Sequence, residues 1–492
     1  MTSDIEPPAE VAWLPWSPGA FARARAEDKP VLLSISATWC RSCREMDRTS
    51  YADPAVITTI NGRFVPIRVD ADERPDISER YNLGGWPTTA FLTPDGAILG
   101  GGTFVSSGRM PEVLAQVGAA FARRGEAPEE AGDRPHVESD GGVAPQLDEL
   151  SAAVFASFDE SHGGFGVEPK FPLAAPVQLA MELWKETHDE RFETVVVTTL
   201  DAMGWGGLYD EVDGGFFRYA AARDWQQPHS EKLLEVNATL LRLYLDAGLA
   251  LGVNRFSQRA ADILRYLQTW LADPVDGGWA GSQQADDAYY AAPAAQRRDM
   301  TPPAVGRIQY ADSNATMTSA ALHAAKIFED AGLTTFAIKS LERVLLPCYS
   351  PGAGVAHYFD REPRVRGLLA DQVAMMAANL DAFDVTGNVV YEMMAEELAH
   401  YAVRVLWDES RGGFFDCADG GAGAIGLMRR RLRPFAANCE AARVLRRLAA
   451  TSGESDFSRV AAETLAAMGP LAPEYGPLAA HYVLAMRDAE QR

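Results

Sequence analysis

SISATWCRSCREM, residues 34–46, closes a short β-rich run and opens a helix, and two cysteines three positions apart stand at the junction. Cys40 falls at the end of the strand and Cys43 one turn into the helix. A helix start offers unpaired backbone N–H groups and the positive end of the dipole, both of which favour thiolate over thiol. Arg41 and Arg44 add positive charge, so Cys40 is the expected attacking nucleophile and Cys43 the resolving one. A Cys-x-x-Cys preceded by Trp39 inside a β-α-β pattern is a redox signal, and the competing readings are a structural remnant or half of a metal site. There is no second Cys-x-x-Cys and no histidine within ten residues of the pair, so neither a metal nor a cofactor is expected.

Outward from the dithiol, residues 30–36 (PVLLSIS), 63–69 (RFVPIRV), 88–92 (TTAFL) and 97–105 read as strands, with a turn at TPDG before the last. Helical stretches run from Arg41 to about Asn61 and from Pro111 to Arg124. The order is β-α-β followed by β-β-α. Pro87, before the third strand, takes the place where thioredoxin folds hold a cis-proline against the dithiol, with Trp86 beside it as a substrate-groove residue. Thioredoxins also keep a buried acid on the strand leading to the dithiol, and the matching position here is Ser34. Proton transfer during reduction is then expected to be slower or to use another base.

From Gly125 to Val143 the composition shifts to Gly, Pro, Asp and Glu, as in a linker. The expected division is residues 1–124, a linker over 125–143, and a helical domain over 144–492. In EKLLEVNATLLRLYLDA, Leu233, Val236, Leu240, Leu243, Tyr244 and Ala247 recur at three- and four-residue steps, as one buried helical face requires. Glycine motifs punctuate the helices at 162–166 (HGGFG), 213–219 (DGGFFRY), 276–282 (DGGWAGS), 352–359 (GAGVAHYF) and 411–416 (RGGFFD). About twelve helices alternate between them, with inner ones starting near Pro172, Ser230, Asp312, Leu369, Pro434 and Tyr475. Six hairpins closing on themselves make an (α/α)6 toroid; an open superhelix of hairpins is the alternative.

Bulk composition removes several classes. The 492-residue chain carries a net charge of −23, unlike a backbone-binding nucleic-acid partner. Residues 1–130 hold 13 basic against 18 acidic residues, a net of −5, which leaves −18 for the helical part. No apolar run long enough to span a membrane is present, the first residues do not read as a secretory signal, and five cysteines are too few for a disulfide framework. A reducing cytoplasm is the expected compartment. Nothing in the sequence sets the oligomeric state.

The run from Lys29 to Phe104, with its ERPDI (73–77), GGWP and GGTF elements, resembles the thioredoxin-like domain of the spermatogenesis-associated protein 20 family. The resemblance continues through PKFP at 169–172, GGLYDEVDGGFFRY at 206–219, DWQQPHSEKLL at 224–234 and SQQADDAYY at 282–290. It implies a thioredoxin-like fold followed by a toroid similar to six-hairpin glycosidases and sugar 2-epimerases. The family usually has histidines within and after its Cys-x-x-Cys, where this chain has Arg41, Ser42 and Arg44, and commonly Phe where this chain has Ser230.

In such a toroid the funnel is lined by the starts of inner helices and the loops before them. The polar residues falling there are Lys170, Arg218, Tyr219, Trp225, His229, Glu231, Asp286, Asp287, Asp312, Asn314, Asp371, Gln372, Asn438 and Glu440. Ser, Asp and Asn at helix starts also serve simply as N-caps, Asp312 and Asn438 especially. His229, two residues before Glu231 and close to Trp225, offers a titratable imidazole beside a carboxylate and a surface for a sugar ring. Asp286 and Asp287 offer two carboxylates, although adjacent residues seldom project together. His357 is a second imidazole that a paired-histidine arrangement would use. Three functions follow: a thiol–disulfide oxidoreductase or redox sensor acting on a protein partner, a sugar isomerase or hydrolase in the toroid, or a non-catalytic binding scaffold.

Overall fold

The computed structural model describes residues 10–123 and 146–490, so the expected linker over 125–143 lies outside the described residues. The chain divides into two compact units, one of residues 1–138 with 419–431, the other of 139–418 with 432–492. The later part of the chain is therefore not one continuous domain: Asp419–Arg431 belongs with the first unit.

In that unit, α1 (Pro18–Glu27), β1 (Val31–Ser36), α2 (Arg41–Arg48), α3 (Pro54–Arg63), β2 (Val65–Asp70), α4 (Pro75–Tyr81), β3 (Thr88–Leu92), β4 (Ile98–Gly102) and α5 (Met110–Ala122) follow in order. The sheet runs β2-β1-β3-β4, with β1 parallel to β2 and antiparallel to β3, and β3 antiparallel to β4. Strands β1 and β3 are buried along nearly their whole length, which is why they read as continuous apolar runs rather than alternating ones. The single helix expected over 41–61 is two. Asp53 caps a new start, its carboxylate accepting from the N–H groups of Ala55 and Val56 at 2.8 and 3.0 Å, with Pro54 at the first helical position. The late segment packs on α4: the Leu427 N–H donates to the Tyr81 hydroxyl at 2.8 Å, and Arg80 reaches the Arg430 carbonyl.

The second unit is a closed double ring. Inner helices α7 (Ala174–Thr187), α9 (Leu234–Leu251), α13 (Ala311–Phe328), α15 (Leu369–Thr386), α17 (Phe435–Ser452) and α19 (Ala480–Glu490) each touch the next, and α19 touches α7. Outer helices α8 (Glu190–Gly204), α10 (Asn254–Tyr266), α14 (Ala331–Cys348), α16 (Val389–Leu406), α18 (Ser455–Met468) and α6 (Leu147–Phe155) back them in turn. Closure of the ring excludes the open superhelix. The loops carry short helices α11 (Asp287–Ala291) and α12 (Ala294–Arg297). They also carry strands β5 (Tyr219–Ala220), β6 (Pro228–His229), β7 (Lys232–Leu233), β8 (Ser282–Gln283), β9 (Val305–Gly306), β10 (Tyr349–Ser350), β11 (Gly354–Asp360) and β12 (Glu362–Arg366). No described helix is long and apolar enough to cross a membrane.

The recurring Gly-Gly motifs have one structural cause. In the loops that begin at Asp159, Asp210, Asp273 and Asp408, the aspartate N–H bonds the second glycine's carbonyl and the first glycine's N–H bonds the aspartate carbonyl. Both glycines of each pair have positive φ, as at Gly163 and Gly164 (68° and 73°). An asparagine one turn into the following inner helix staples three such loops: Asn237 bonds the main chain of Phe216, Asn314 that of Trp279 and Asn438 that of Phe414. At Gly164 an added Cβ would stand 2.5 Å from the Trp225 ring, on top of the left-handed backbone. We therefore expect Gly164→Ala to cost about 2–4 kcal/mol of stability, read as a lowered urea midpoint with unchanged helical circular dichroism.

Candidate functional site

Cys40 is the N-cap of α2, in extended conformation, and its Sγ accepts the Cys43 N–H at 3.1 Å. The two cysteines form a disulfide with Cα atoms 5.3 Å apart. Trp39, next to Cys40 in the chain, is buried, its indole N–H donating to Asp72 at 2.8 Å, and meets Trp86 edge-on at 5.6 Å. The Trp86–Pro87 peptide is cis, as the thioredoxin resemblance implies. The cap position puts the helix's positive end on Cys40.

Ser34 is buried in β1, leaving no acid at that place. A different carboxyl ends β2. Asp70 accepts from the N–H of Asp72 at 2.9 Å, and burial, with the charge of Glu73, pushes its carboxyl up to about 6 against the pull of those N–H groups. In the sequence it is hidden because an acid followed by ADER has the pattern of an ordinary polar turn. The folded value lies above the unfolded value of about 3.9, so the folded state holds this proton more tightly. Stability from it is present at low pH and lost as pH rises through about 6. Asp70→Asn, which keeps the acceptor oxygen, should raise the melting temperature at pH 7 and flatten its dependence between about pH 4 and 6.

In the second unit the inner helices surround a cavity of about 1010 Å³. Its wall mixes small apolar residues, such as Ala238, Ala320 and Ala374, with polar ones contributed unevenly by the helices. On α9 the polar ones form a stripe of Glu235, Thr239, Arg242 and Asp246, spaced by four, three and four residues. Deep in the ring, Arg443 pairs with Asp488 at 2.6 Å and Arg447 with Asp381 at 2.6 Å. Glu235 is open to cavity water yet enclosed by protein; desolvation, then the charge of Asp312, pushes its carboxyl up to about 7. The stripe was present in the sequence as the polar half of an amphipathic pattern.

The polar residues expected at the funnel divide into two groups. Lys170 is fully buried, bonded to Asp159 at 2.9 Å and the Gly163 carbonyl at 2.5 Å, and so belongs to the scaffold. Trp225 is likewise buried, donating its indole N–H to the His162 carbonyl at 2.8 Å. Asn314 and Asn438 are loop staples, Gln372 does the same for Val355, and Asp286 caps α11 through the Tyr289 N–H. Lys170, Asn314, Asn438, Gln372 and Trp225 are thus buried in the scaffold, while Asp286 is half-buried and engaged through one oxygen.

The others do meet. His229 lies on β6, five residues before α9 rather than at its start, and stacks on Tyr219 at 4.2 Å, which in turn stacks on Phe171 at 4.7 Å. Arg218 lies over Tyr219 and bonds the buried Glu231 at 2.5 Å. Ser230, between the two, donates to exposed Asp287 at 2.7 Å. Desolvation holds the His229 imidazole below its ordinary value. His229 is not among the residues that line the cavity, whereas Asp312 is. His357 pairs with Asp371 rather than with His229, Nδ1 to Oδ1 at 2.8 Å, beneath Tyr310 stacked at 5.0 Å. Glu440 faces the cavity and His481, 3.1 Å away.

Residues 6–134 match the DsbH-type thioredoxin family described as "Protein of unknown function, DUF255". The chain is 29% identical over 310 residues to the uncharacterized protein B0495.5 of Caenorhabditis elegans and 30% identical over 316 residues to spermatogenesis-associated protein 20 of Homo sapiens. Each match takes in 56% of this chain, which spans 41% and 39% of those proteins' lengths. A shorter stretch of 79 residues, 15% of this chain and 14% of the relative, is 36% identical to the thiol:disulfide interchange protein DsbD 2 of Pseudomonas aeruginosa. Among solved structures, cellobiose 2-epimerase from Bacillus thermoamylovorans superposes with a TM-score of 0.53 at 11% identity, covering 65% of this chain and 85% of that one. A D-mannose isomerase gives 0.55 at 11%, covering 70% and 96%. Identities this low show a shared fold alone. Residues 6–134 thus match the thioredoxin-like family model DUF255, and the chain, similar over part of its length to spermatogenesis-associated protein 20, joins a thioredoxin-like fold to a six-hairpin toroid.

Proposed function

We propose that the first unit is a thiol–disulfide oxidoreductase acting on a protein partner in the cytoplasm. The observation that carries this is Cys40 at the cap of α2, its sulfur 3.1 Å from the Cys43 N–H, with cis-Pro87 and Trp86 beside Trp39. Cys40 thiolate attacks a partner disulfide and forms a mixed disulfide, releasing one partner thiolate. Cys43 thiolate then attacks the Cys40 sulfur, releases the second, and leaves the Cys40–Cys43 disulfide. Glutathione redox titration with pH-dependent alkylation tests the reading. A reversible disulfide and a Cys40 pKa below the free-thiol value of about 8.5 are expected. An unshifted thiol, or a pair that does not reoxidise, ends it.

The cavity of about 1010 Å³, walled in part by Glu235 and Asp312, favours a second reading for the toroid: a sugar isomerase or hydrolase. Glu235, held near 7, is a proton donor or acceptor at neutral pH, and the His229–Glu231–Arg218 group is the alternative acid–base set. Here a thermal shift with mannose or cellobiose should survive Cys40→Ser and vanish in Glu235→Gln. Loss in His229→Ala instead would assign the chemistry to the stacked group, and no shift with any sugar would leave the cavity a scaffold.

A further inference from the structure

Asp371 is completely buried in the first turn of α15, and its two oxygens are treated unequally. Oδ1 meets His357 Nδ1 at 2.8 Å, whereas Oδ2 is buried with no well-formed hydrogen bond, the backbone N–H of Asp312 being the other donor that faces the carboxyl. A carboxylate oxygen taken out of water without a well-formed hydrogen bond is expensive, and native folds seldom keep one unless an ion or water answers it. Asp312, in the first turn of α13, comes from the other side: one ligand atom from each of Asp312, His357 and Asp371 lies within 4.8 Å of the others. Helix starts favour negative charge, which explains an aspartate at either place alone. It does not explain why both converge on one imidazole, nor the unanswered oxygen.

We propose that Asp312, His357 and Asp371 form a divalent transition-metal site on the wall of the toroid cavity. The separation of Nδ1 and Oδ1 is close to the spacing of about 3 Å between adjacent ligands of a six-coordinate ion, each about 2.1 Å from it, and shorter than the roughly 3.4 Å of a tetrahedral one. Tyr310, stacked on the imidazole at 27°, holds the ring in that orientation. Two carboxylates with one imidazole suit Mn²⁺ or Zn²⁺, whereas Mg²⁺ and Ca²⁺ call for all-oxygen sets. Asp312 also lines the cavity, so the ion has a way in and keeps open positions for water or a ligand there.

The test uses the full chain with its dithiol oxidised, titrated with Co²⁺ as a spectroscopic stand-in and then with Zn²⁺ as competitor. One Co²⁺ per chain is expected, with visible d–d bands, no thiolate charge-transfer band, and displacement by Zn²⁺. Affinity should fall at least about tenfold in Asp312→Asn and in Asp371→Asn. Absence of binding, a thiolate band, or unchanged affinity in Asp312→Asn overturns the site. Asp312→Asn changes a half-exposed cavity residue, so the question is answered even where Asp371→Asn fails to fold.

Discussion

Cys43→Ser should trap a covalent adduct with a disulfide partner, and Cys40→Ser should trap none. Both substitutions should abolish turnover to background. The two sulfurs are almost equally buried, 5% and 3% exposed by residue, so exposure hardly distinguishes them. Position on the helix does. Cys40 caps α2 and receives the Cys43 N–H, which stabilises its thiolate; Cys43 sits inside the first turn. A serine at position 43 still offers that N–H but cannot attack the mixed disulfide, so the intermediate accumulates. Mass spectrometry after exposure to oxidised glutathione reads the result directly: one glutathione on Cys40 in the Cys43→Ser chain. The reverse pattern, an adduct on Cys43 in Cys40→Ser, would exchange the two roles. The Asp70→Asn profile is independent of this outcome, since it reports a proton held by burial rather than exchange chemistry.

The strands were legible because β1, β2 and β3 are short apolar runs bounded by polar turns, and the helical hairpins because one apolar face recurs along each helix. The helix break at Asp53-Pro54 was legible too, in its cap and first-turn proline, but the apolar rhythm ran across it and won. Ring closure was not. It depends on α19 meeting α7, more than 290 positions earlier in the chain, and periodicity says nothing about which helix a face meets. Nor can sequence separate Lys170 from a ligand-binding lysine: both stand just before an inner helix, and only the fold reveals Asp159 and the Gly163 carbonyl around it. The same holds for Asn314 and Trp225. Glu235 was hidden for the opposite reason. The apolar face of α9 packs outward, while its polar stripe has the pattern of a solvent-facing one and lines the cavity of the ring instead.

Asp210→Asn should lower stability by about 3–5 kcal/mol, the loss typical when one partner of a buried ion pair is removed. Lys232 is fully buried, 2.7 Å from Asp210 and 2.6 Å from the Gly214 carbonyl, and walled by Phe217, Tyr266 and Tyr290 at 5.2, 4.7 and 4.7 Å. Desolvation pulls its ammonium down to about 8 even with Asp210 opposing it, so without that carboxylate the charge has little to hold it. Asparagine keeps the shape of the loop and most of its hydrogen bonds, which isolates the charge from the packing. Lys232→Met should be milder, because Asp210 keeps Arg297 at 2.8 Å and the methionine fills the aromatic box with apolar atoms. The pH dependence separates this account from simple misfolding. In Asp210→Asn the strain lies in an uncompensated ammonium, which loses its proton in the fold at a lower pH than the wild-type value of about 8. The deficit relative to wild type should therefore shrink as pH rises from 7 to about 9, past the value at which the wild-type ammonium itself is lost. Urea midpoints at both pH values measure it. A deficit that is the same at both would mean that the loop, not the charge, had failed, and one below about 1 kcal/mol at pH 7 would mean that Arg297 and Asp213 carry the network without Asp210.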